Sequence, residues 1–442
     1  MKNLVMGVAT NYDWYTIEPF IRSCKKYCEN TDIVLFVDNN SAFTRNALTG
    51  EGVILAQVPD ALKNFNVINS RWIMYKLFLD RYGGNYGKIF LTDVRDVIFQ
   101  GNLFEPFGEV ENFLCCAVEG EKIKNAKEHL TYDCLTPLFG SDVAERLADK
   151  KILCAGTVVG TLNDVKHLTD KMTNILQRST ESGDDKAALN YLVYENQLEI
   201  ENLIESDCED GIILTSRLFH AANPIQIQNN KILRGDGNTP AVVHQYDRQP
   251  VFVEHVNKIY RDADFQPNEN FSDTRSIFEQ LICAVNVGKI DAAYKLFTRY
   301  LFDADLKGYG NELVKIFETI LSKDSTLAAE PLSLSIQGTL PSIIKELDFQ
   351  QLIKICSLAD RLMKSNRLIL PQLKILVKET FFAMAQRLYD SRQFEQGIEY
   401  LKFITTLNVP LDANFYLLQA RFYRETGRKA EALAAYSKAL NF

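Results

Sequence analysis

The sequence predicts an α/β domain followed by an all-α domain, and two observations carry this prediction. Up to about residue 260, apolar runs typical of buried strands alternate with segments of helical spacing, the pattern of a largely parallel sheet covered by helices. From about residue 272 the strand-like runs disappear, and amphipathic helices with short Gly- or Pro-marked turns follow. We therefore predict domains over residues 1–262 and 272–442, joined by a polar linker over residues 262–273.

The elements of the first domain follow in order along the chain. Apolar runs at residues 4–9 and 33–37 predict buried strands, and the helical spacing of residues 17–27 predicts a helix between them. A second helix is expected over residues 68–82, where Gly83 and Gly84 end it. Residues 88–91 then form a short buried strand that runs directly into Asp93 and Asp96. Polar residues thus gather at strand ends.

Composition narrows the classes of partner and compartment. The chain has 442 residues, too many for one ordinary core, and its net charge of −8 argues against a surface that neutralises nucleic acid. No apolar run reaches the length of a membrane span, and the nine scattered cysteines suit a reducing compartment. We expect a soluble cytoplasmic protein with no transmembrane segment, with a peripheral position at the inner face of the membrane left open.

Two carboxylates three residues apart, Asp93 and Asp96, follow the strand at residues 88–91. In an α/β domain, ligands gather at the carboxyl ends of strands. Carboxylates held near one another need a cation or a basic partner, and oxygen ligands suit Mg²⁺ or Mn²⁺. Arg95 lies between them and could bind a phosphate oxygen or pair with an aspartate. A turn with a helix cap is the alternative that needs no metal.

Residues 88–100 as a whole resemble the metal-binding segment of GT-A glycosyltransferases, and the likeness extends over approximately residues 1–255. In that family an Asp-x-Asp motif binds manganese or magnesium on the diphosphate of a nucleotide-sugar donor. Arg95 stands where alignment would place the second Asp, and we expect Asp96 to take over that role. The resemblance implies a GT-A, Rossmann-like mixed sheet, Mn²⁺ or Mg²⁺ as cofactor, and a nucleoside-diphosphate sugar as donor, with a UDP-sugar favoured.

The resemblance also implies a nucleotide site at the first two strands. Thr10 and Asn11 follow the first strand, where backbone groups hold the base and ribose in the family, and Asp38 follows the second. The residues 38–40 are equally readable as an ordinary turn. On the helix before the acidic strand, Arg71 and Lys76 lie on different faces, so only one of them need face the site. We expect Arg71 to counter diphosphate charge there, and the alternative is that both are surface charges.

Two later segments complete the expected site. Asp184 and Asp185 stand at the start of a predicted helix, in a segment that resembles the acidic segment of retaining GT-A families. In those families the acidic segment faces the donor and acceptor sugars. The alternative is that the two residues cap the helix and have no catalytic role. His244 ends an apolar strand where GT-A enzymes often supply a further metal ligand, and Arg248 would bind the diphosphate. An isolated histidine is otherwise more often structural.

The second domain contains one segment with the spacing of a tetratricopeptide helix pair, with weaker copies at residues 385–401 and 281–300. Its characteristic residues are Ala420, Tyr423, Gly427, Ala432, Tyr436 and Ala439. A plain helical bundle is the alternative. Such repeats present a surface for an acceptor carrier, a partner protein or a second copy of the chain.

These observations predict a metal-dependent enzyme that moves a hexose from a nucleoside-diphosphate sugar to a hydroxyl. The expected acceptor is a glycan or glycolipid precursor of a bacterial surface polysaccharide, and the acidic segment with His244 favours retention of configuration. Two alternatives stay open from the sequence: an inactive scaffold whose helical repeats recruit a partner, and a nucleotidyltransferase of related fold.

Overall fold

The protein is described here by a computed structural model. It covers residues 1–108, 110–125, 132–177, 179, 183–207, 211–216, 226–263, 265–267, 273–289 and 371–441, with isolated positions between 292 and 351. The chain divides into two compact units, Met1–Arg261 and Asp262–Phe442. Part of the predicted linker, residues 264 and 268–272, lies outside the described residues.

A seven-stranded mixed sheet forms the centre of the first unit, in the order β3-β2-β1-β4-β7-β6-β8. The strands of this sheet are β1 Lys2–Val8, β2 Thr31–Val37, β3 Ile54–Gln57, β4 Tyr86–Thr92, β6 Leu114–Lys122, β7 Lys151–Thr161 and β8 Leu203–Ser206. The first four are parallel, whereas β7 runs antiparallel to both β4 and β6. The α/β prediction is therefore confirmed. The reversed direction of β7 could not be predicted, because an apolar run that is buried on both faces looks the same in a parallel and in an antiparallel strand.

A second, three-stranded sheet carries the end of the predicted site. It consists of β5 Val97–Phe99, β12 Val242–His244 and β9 Ile213–Thr215, with β12 in the middle. The pairing of β12 with β5 is antiparallel and sets His244 opposite Val97. A strand from late in the chain is thereby fixed beside the segment that follows β4. A hairpin of β10 Gln226–Gln228 and β11 Lys231–Leu233 completes the described strands.

Helices of the first unit pack on both faces of the sheet. Their bounds are α1 Trp14–Tyr27, α2 Ala42–Gly50, α3 Val67–Tyr82, α4 Tyr132–Phe139, α5 Ser141–Leu147, α6 Leu162–Leu176, α7 Asp184–Tyr194 and α8 Pro250–Tyr260. The main core joins α3, α6 and α7 to the sheet through side chains such as Trp72, Val165 and Leu189. On α1, Phe20 contacts Phe99 of β5 at a ring distance of 5.7 Å. These apolar contacts fix the strand ends that carry the site.

Several helices begin at side-chain caps that the sequence encodes. Asp13 accepts a hydrogen bond from the Thr16 amide at 2.7 Å and so begins α1. Asn66 accepts one from the Ile68 amide at 2.9 Å and begins α3. The start of α3 matters for the site, because it sets Arg71 one turn into the helix.

The second unit is helical throughout its described part. Its helices are α9 Thr274–Asn286, α10 Pro371–Asp390, α11 Phe394–Thr406, α12 Ala413–Glu425 and α13 Lys429–Ala439. Gly397 of α11 lies directly against the ring of Phe422 in α12. The all-α prediction is confirmed, whereas the tetratricopeptide likeness stays a prediction, and its copy at residues 281–300 lies partly outside the described residues. Within the described chain, no helix combines the length and apolar character that a membrane crossing needs.

Candidate metal and donor site

Three side chains from two sheets converge beyond the end of β4. Asp93 follows β4, Asp96 precedes β5, and His244 ends β12. His244 Nε2 lies 3.4 Å from Asp93 Oδ2 and 3.8 Å from Asp96 Oδ1. One ligand atom from each residue lies within 4.8 Å of the others, so the three could hold one metal ion. The structure therefore brings together the three residues that the sequence predicts as metal ligands.

The surroundings of this cluster fit a divalent cation. His244 is 1% exposed, and among the described residues its Nε2 atom makes no well-aligned hydrogen bond, since the nearest carboxylate oxygen, Asp93 Oδ2, lies 3.4 Å away. Its other nitrogen, Nδ1, lies 3.6 Å from Cys154 Sγ, so Nε2 is the nitrogen that faces the carboxylates. Two carboxylate oxygens and one imidazole are a donor set that suits Mn²⁺, and Mg²⁺ less closely because of the nitrogen.

Gly156 of β7 leaves room for the cluster. A Cβ atom at this position would lie 2.4 Å from Asp93 Oδ2 and 3.0 Å from His244 Cε1. The Gly156 carbonyl also accepts a hydrogen bond from the Asp93 amide at 2.8 Å. The absence of a side chain thus allows the backbone of β7 to hold Asp93 from close range.

The charges of the three residues depend on one another. Burial by itself would lower the pKa of His244, but the Cys154 sulfur and the Asp93 carboxylate raise it well above its usual range. Burial opposes the charge on Asp93, yet Arg71 and His244 hold the pKa of its carboxyl below the usual range. Burial raises the pKa of Asp96, and the Asp93 carboxylate adds to this effect. A divalent cation bound at Nε2 would compete with a proton for that nitrogen.

Arg71 connects the metal cluster to the start of α7. Its guanidinium donates hydrogen bonds to Asp93 Oδ1, to Asp185 Oδ2 at 2.6 Å and to the Ala155 carbonyl at 3.0 Å. Because Oδ1 of Asp93 is taken by Arg71, Oδ2 is the oxygen that faces His244. Lys76, on another face of α3, pairs instead with Asp80 at the surface.

The two acidic residues at the start of α7 have different surroundings. Asp185 is connected to the cluster through Arg71. Asp184 accepts a hydrogen bond from the Ser179 hydroxyl, and that hydroxyl in turn accepts one from Asn69 Nδ2 at 3.0 Å. Asp185 is therefore connected to the predicted site, whereas Asp184 is held by the Ser179 hydroxyl. The N-cap of α7 is Gly183, and no side chain caps this helix start by a hydrogen bond in the described chain.

A cavity of about 260 Å³ opens beside the cluster. It is lined by Val8, Thr10, Tyr12, Val67, Ile68, Arg71, Tyr75, Thr92, Asp93, Val94, Arg95, Asp96, Gln245 and Arg248. The predicted residues Thr10, Arg71, Arg95 and Arg248 thus share one cavity with both aspartates. Arginine and aspartate on the same wall suit a ligand that carries both an anion and a coordinated cation.

Arg95 and Arg248 are available to such an anion. Arg95 is half exposed and lies 3.2 Å from Asp247 and 3.8 Å from Asp96. Arg248 is half exposed and lies 3.5 Å from Asp247. Partly solvated pairs of this kind exchange partners at little cost.

Asn11 and Asp38 contact one another beside the cavity and are not among its lining residues in the described chain. The Asn11 amide donates a hydrogen bond to the Asp38 carbonyl at 3.0 Å. The Asp38 carboxylate accepts one from Gln57 Nε2 at 3.2 Å and pairs with Lys63 at 3.4 Å. These contacts join Asp38 to other segments, so both the turn at residues 38–40 and the nucleotide contact of Asp38 stay predictions.

Tyr12, Tyr75 and Gln245 line the cavity but are missed by the sequence reasoning. Tyr75 lies one helical turn after Arg71, so the face of α3 that carries Arg71 could have indicated it. Tyr12 lies two residues beyond Thr10 after β1. For Gln245 the only signal is its place next to His244.

The chain is similar to solved glycosyltransferase structures. Glucosyl-3-phosphoglycerate synthase from Mycobacterium tuberculosis, in complex with Mn²⁺, UDP and glucosyl-3-phosphoglycerate, is 13% identical with a TM-score of 0.30, over 47% of this chain and 70% of that chain. Mannosyltransferase PcManGT from Pyrobaculum calidifontis, in complex with GDP-Man and Mn²⁺, is 9% identical with a TM-score of 0.27. The match covers 88% of this chain and 87% of that chain. TarS from S. aureus is 9% identical with a TM-score of 0.29, over 76% of this chain and 50% of that chain.

Protein-family profiles and curated proteins give no match to this sequence. The solved structures belong to the class that the sequence resembles, but their TM-scores make them distant likenesses. The chemistry of the site therefore rests on its own side chains.

Proposed function

We propose that the protein is a metal-dependent glycosyltransferase that moves a hexose from a nucleoside-diphosphate sugar to a hydroxyl acceptor. One observation carries the proposal: Asp93, Asp96 and His244 converge within 4.8 Å beside a cavity. Arg95 and Arg248 line that cavity together with both aspartates. A diphosphate with a coordinated cation is the ligand class whose charges this wall complements.

The residues of the chain have separable roles in this proposal. Asp93 Oδ2, Asp96 Oδ1 and His244 Nε2 would hold Mn²⁺ or Mg²⁺. When bound, such a cation neutralises the charge that develops on the leaving diphosphate. Arg95 and Arg248 exchange Asp247 for diphosphate oxygens and so orient the leaving group. A UDP-sugar is the donor we favour.

We extend the proposal to retention of configuration. An inverting enzyme needs a carboxylate free to take the proton of the acceptor hydroxyl. Asp185 is paired with buried Arg71, which makes it a poor base, and this supports a reaction in which the departing phosphate receives the proton. In this proposal Asp185 acts electrostatically through Arg71, and Asp184 is held by the Ser179 hydroxyl outside the cavity lining.

The acceptor and the setting are part of the same proposal. We propose a glycan or glycolipid precursor as acceptor and the cytoplasm as the site of action, at or near the inner face of the membrane. The second unit would recruit a protein partner or a second copy of the chain. These assignments follow from the family resemblance of the sequence.

A donor screen tests the reaction directly. The protein is incubated with each common nucleotide sugar, with Mn²⁺ or with EDTA, and release of the nucleoside diphosphate is followed. We expect slow hydrolysis of one donor, lost with EDTA and in Asp93→Ala. Asp149→Ala is the matched control, because this exposed carboxylate pairs with the surface residues Lys122 and Lys124 and lies outside the cavity lining.

The outcome separates the proposal from its alternatives. Full activity of Asp93→Ala would contradict the metal assignment. Release of pyrophosphate from a nucleoside triphosphate and a sugar phosphate would indicate a nucleotidyltransferase instead. No donor-dependent reaction and no Mn²⁺-dependent binding across the panel would leave the scaffold alternative.

A further inference from the structure

Asp247 contacts both of the half-exposed arginines that line the cavity. Its Oδ2 atom lies 3.2 Å from Arg95 Nη2, and its Oδ1 atom lies 3.5 Å from Arg248 Nε. Each oxygen of the carboxylate therefore faces one guanidinium group. Arg95 and Arg248 are lining residues of the cavity, whereas Asp247 is not among them in the described chain. An anion in the cavity would thus meet the arginines and sense Asp247 through them.

These two contacts of Asp247 are loose ion pairs. Their lengths exceed the roughly 2.7–2.9 Å of a charge-assisted hydrogen bond, and Asp247 Oδ1 makes no hydrogen bond in the described chain. The buried Arg71, by contrast, donates a hydrogen bond to Asp185 at 2.6 Å. Ion pairs that are both long and partly solvated contribute little free energy. A ligand with stronger negative charge can therefore displace Asp247 from either arginine.

The backbone fixes the carboxylate, while the arginine side chains are long enough to move. Asp247 lies in the single 3₁₀ turn Tyr246–Arg248 that follows β12. The Tyr246 hydroxyl donates a hydrogen bond to the Arg95 carbonyl at 3.3 Å, which ties this turn to the segment between β4 and β5. One methylene joins the Asp247 carboxylate to this backbone, whereas each arginine has a flexible stem of three. The arginines can therefore turn between Asp247 and a ligand.

We propose that Asp247 is an internal counter-ion that competes with the donor diphosphate for Arg95 and Arg248 and thereby promotes release of the nucleoside diphosphate product. The inference rests on the proposed function and adds the residue that sets how tightly the diphosphate is held. Arginines that bind the leaving group in the transition state also bind it afterwards, and product release limits turnover in many enzymes. A carboxylate that takes the arginines back favours that release.

The test uses Asp247→Asn, which removes the charge and keeps the shape of the side chain. We measure binding of UDP with Mn²⁺ and of inorganic pyrophosphate with Mg²⁺ by isothermal titration at low and high salt, and the dissociation rate of UDP by stopped flow. Asp236→Asn is the matched control. Its carboxylate also lies 3.2 Å from an arginine nitrogen, Arg234 Nη2, and is similarly exposed, but it lies outside the cavity lining.

For Asp247→Asn we expect about three- to tenfold tighter binding of both ligands, the range expected when two partly exposed pairs no longer compete. The change should appear mainly as slower dissociation of UDP. The affinity of the variant should also fall more steeply with salt, because the site has one more uncompensated positive charge. The control variant should match wild type. A gain in affinity cannot arise from damage to the fold, and thermal unfolding of each variant verifies that it is folded.

A second comparison tests whether Asp247 acts through the arginines. In an Arg248→Gln background, the gain from Asp247→Asn should be smaller than in the wild-type background, because one of the two contested arginines is absent. Direct repulsion between Asp247 and the ligand would instead give the same gain in both backgrounds.

Three results would overturn the inference. Weaker binding by Asp247→Asn would mean that the carboxylate holds the arginines in position for the ligand. Equal binding by wild type and Asp247→Asn would exclude competition. An undiminished gain in the Arg248→Gln background would assign the effect to direct repulsion. Failure of the proposed function gives a different result, because the wild-type protein itself would then bind neither UDP nor pyrophosphate in the presence of a divalent cation.

Discussion

At the scale of single residues, Arg71 determines the electrostatics of the candidate site. Its side chain is 10% exposed and that of Asp185 is 4% exposed, so this ion pair is well removed from water. The Asp93 carboxylate is 38% exposed toward the cavity and is more easily hydrated. Removing one partner of a buried pair is far more costly than removing a surface pair, because the remaining charge stays buried.

Arg71→Gln should therefore lower the free energy of unfolding at pH 7 by about 3 kcal/mol, at the lower end of the range for broken buried pairs. Arg71 lowers the pKa of Asp93, so its stabilising effect is present above the unfolded pKa and is lost as pH falls through the folded pKa. The difference in the free energy of unfolding between wild type and Arg71→Gln should thus shrink below about pH 4. Urea unfolding at a series of pH values measures this difference.

Arg146→Gln is the control for this prediction. Arg146 forms a two-point pair with Glu195, but its side chain is 54% exposed, so the expected loss is below about 1 kcal/mol. Equal losses in the two variants, or a deficit in Arg71→Gln that grows toward low pH, would contradict a structural role for the buried pair.

At the scale of elements, the sequence predicts where polar groups leave strands better than it predicts which strands meet. The apolar run before Asp93 and the one before His244 both form strands, and both side chains lie at strand ends as expected. The alternation of apolar residues does not encode the antiparallel pairing of β12 with β5, which depends on long-range contacts. Only that pairing brings His244 to the aspartates.

The same limit explains the remaining differences at the site. Helical spacing indicates that Arg71 and Lys76 lie on different faces, and the structure agrees, but spacing cannot tell which carboxylates Arg71 will contact. Two adjacent aspartates at the start of α7 are indistinguishable in sequence, whereas packing directs Asp185 to Arg71 and Asp184 to Ser179. Side-chain partners from other elements decide these roles.

Gly156→Ala tests whether close packing of β7 is needed for metal binding. The added methyl group would overlap Asp93 Oδ2 and crowd the His244 ring, so at least one ligand must move. We expect Mn²⁺ affinity to fall about 10- to 100-fold, the range for changes in residues that support metal ligands. Isothermal titration with Mn²⁺ measures this, and circular dichroism verifies the fold.

Gly84→Ala provides the matched comparison, since a Cβ atom there would meet nothing within 4 Å. Its Mn²⁺ affinity should equal that of wild type. Unaltered affinity in Gly156→Ala would mean that Asp93 and His244 do not act together as ligands.

At the scale of the whole molecule, the chain contains two compact units with different building principles. The first unit, Met1–Arg261, contains the mixed sheet and the candidate site. The described part of the second, Asp262–Phe442, consists of helices that pack through small residues and aromatic rings. Periodicity alone separates these two regions in the sequence, because a change from strand-like to helical patterns needs no knowledge of tertiary contacts.

Gly397→Ala tests whether the two units are stabilised separately. A Cβ atom at this position would lie 2.2 Å from the Phe422 ring, so α11 and α12 must move apart or the ring must turn. We expect a loss of about 1–3 kcal/mol confined to the helical unit, as for other overpacked cores. Hydrogen exchange should show faster exchange in α11 and α12 and unchanged protection in β1, β4 and β7, with unchanged Mn²⁺ affinity.

Gly50→Ala, where a Cβ atom meets nothing within 4 Å, should leave both units unaffected. Loss of protection in the central sheet of Gly397→Ala would instead indicate that the whole chain unfolds as one cooperative unit, and any substitution in the helical unit would then act on the site through global stability.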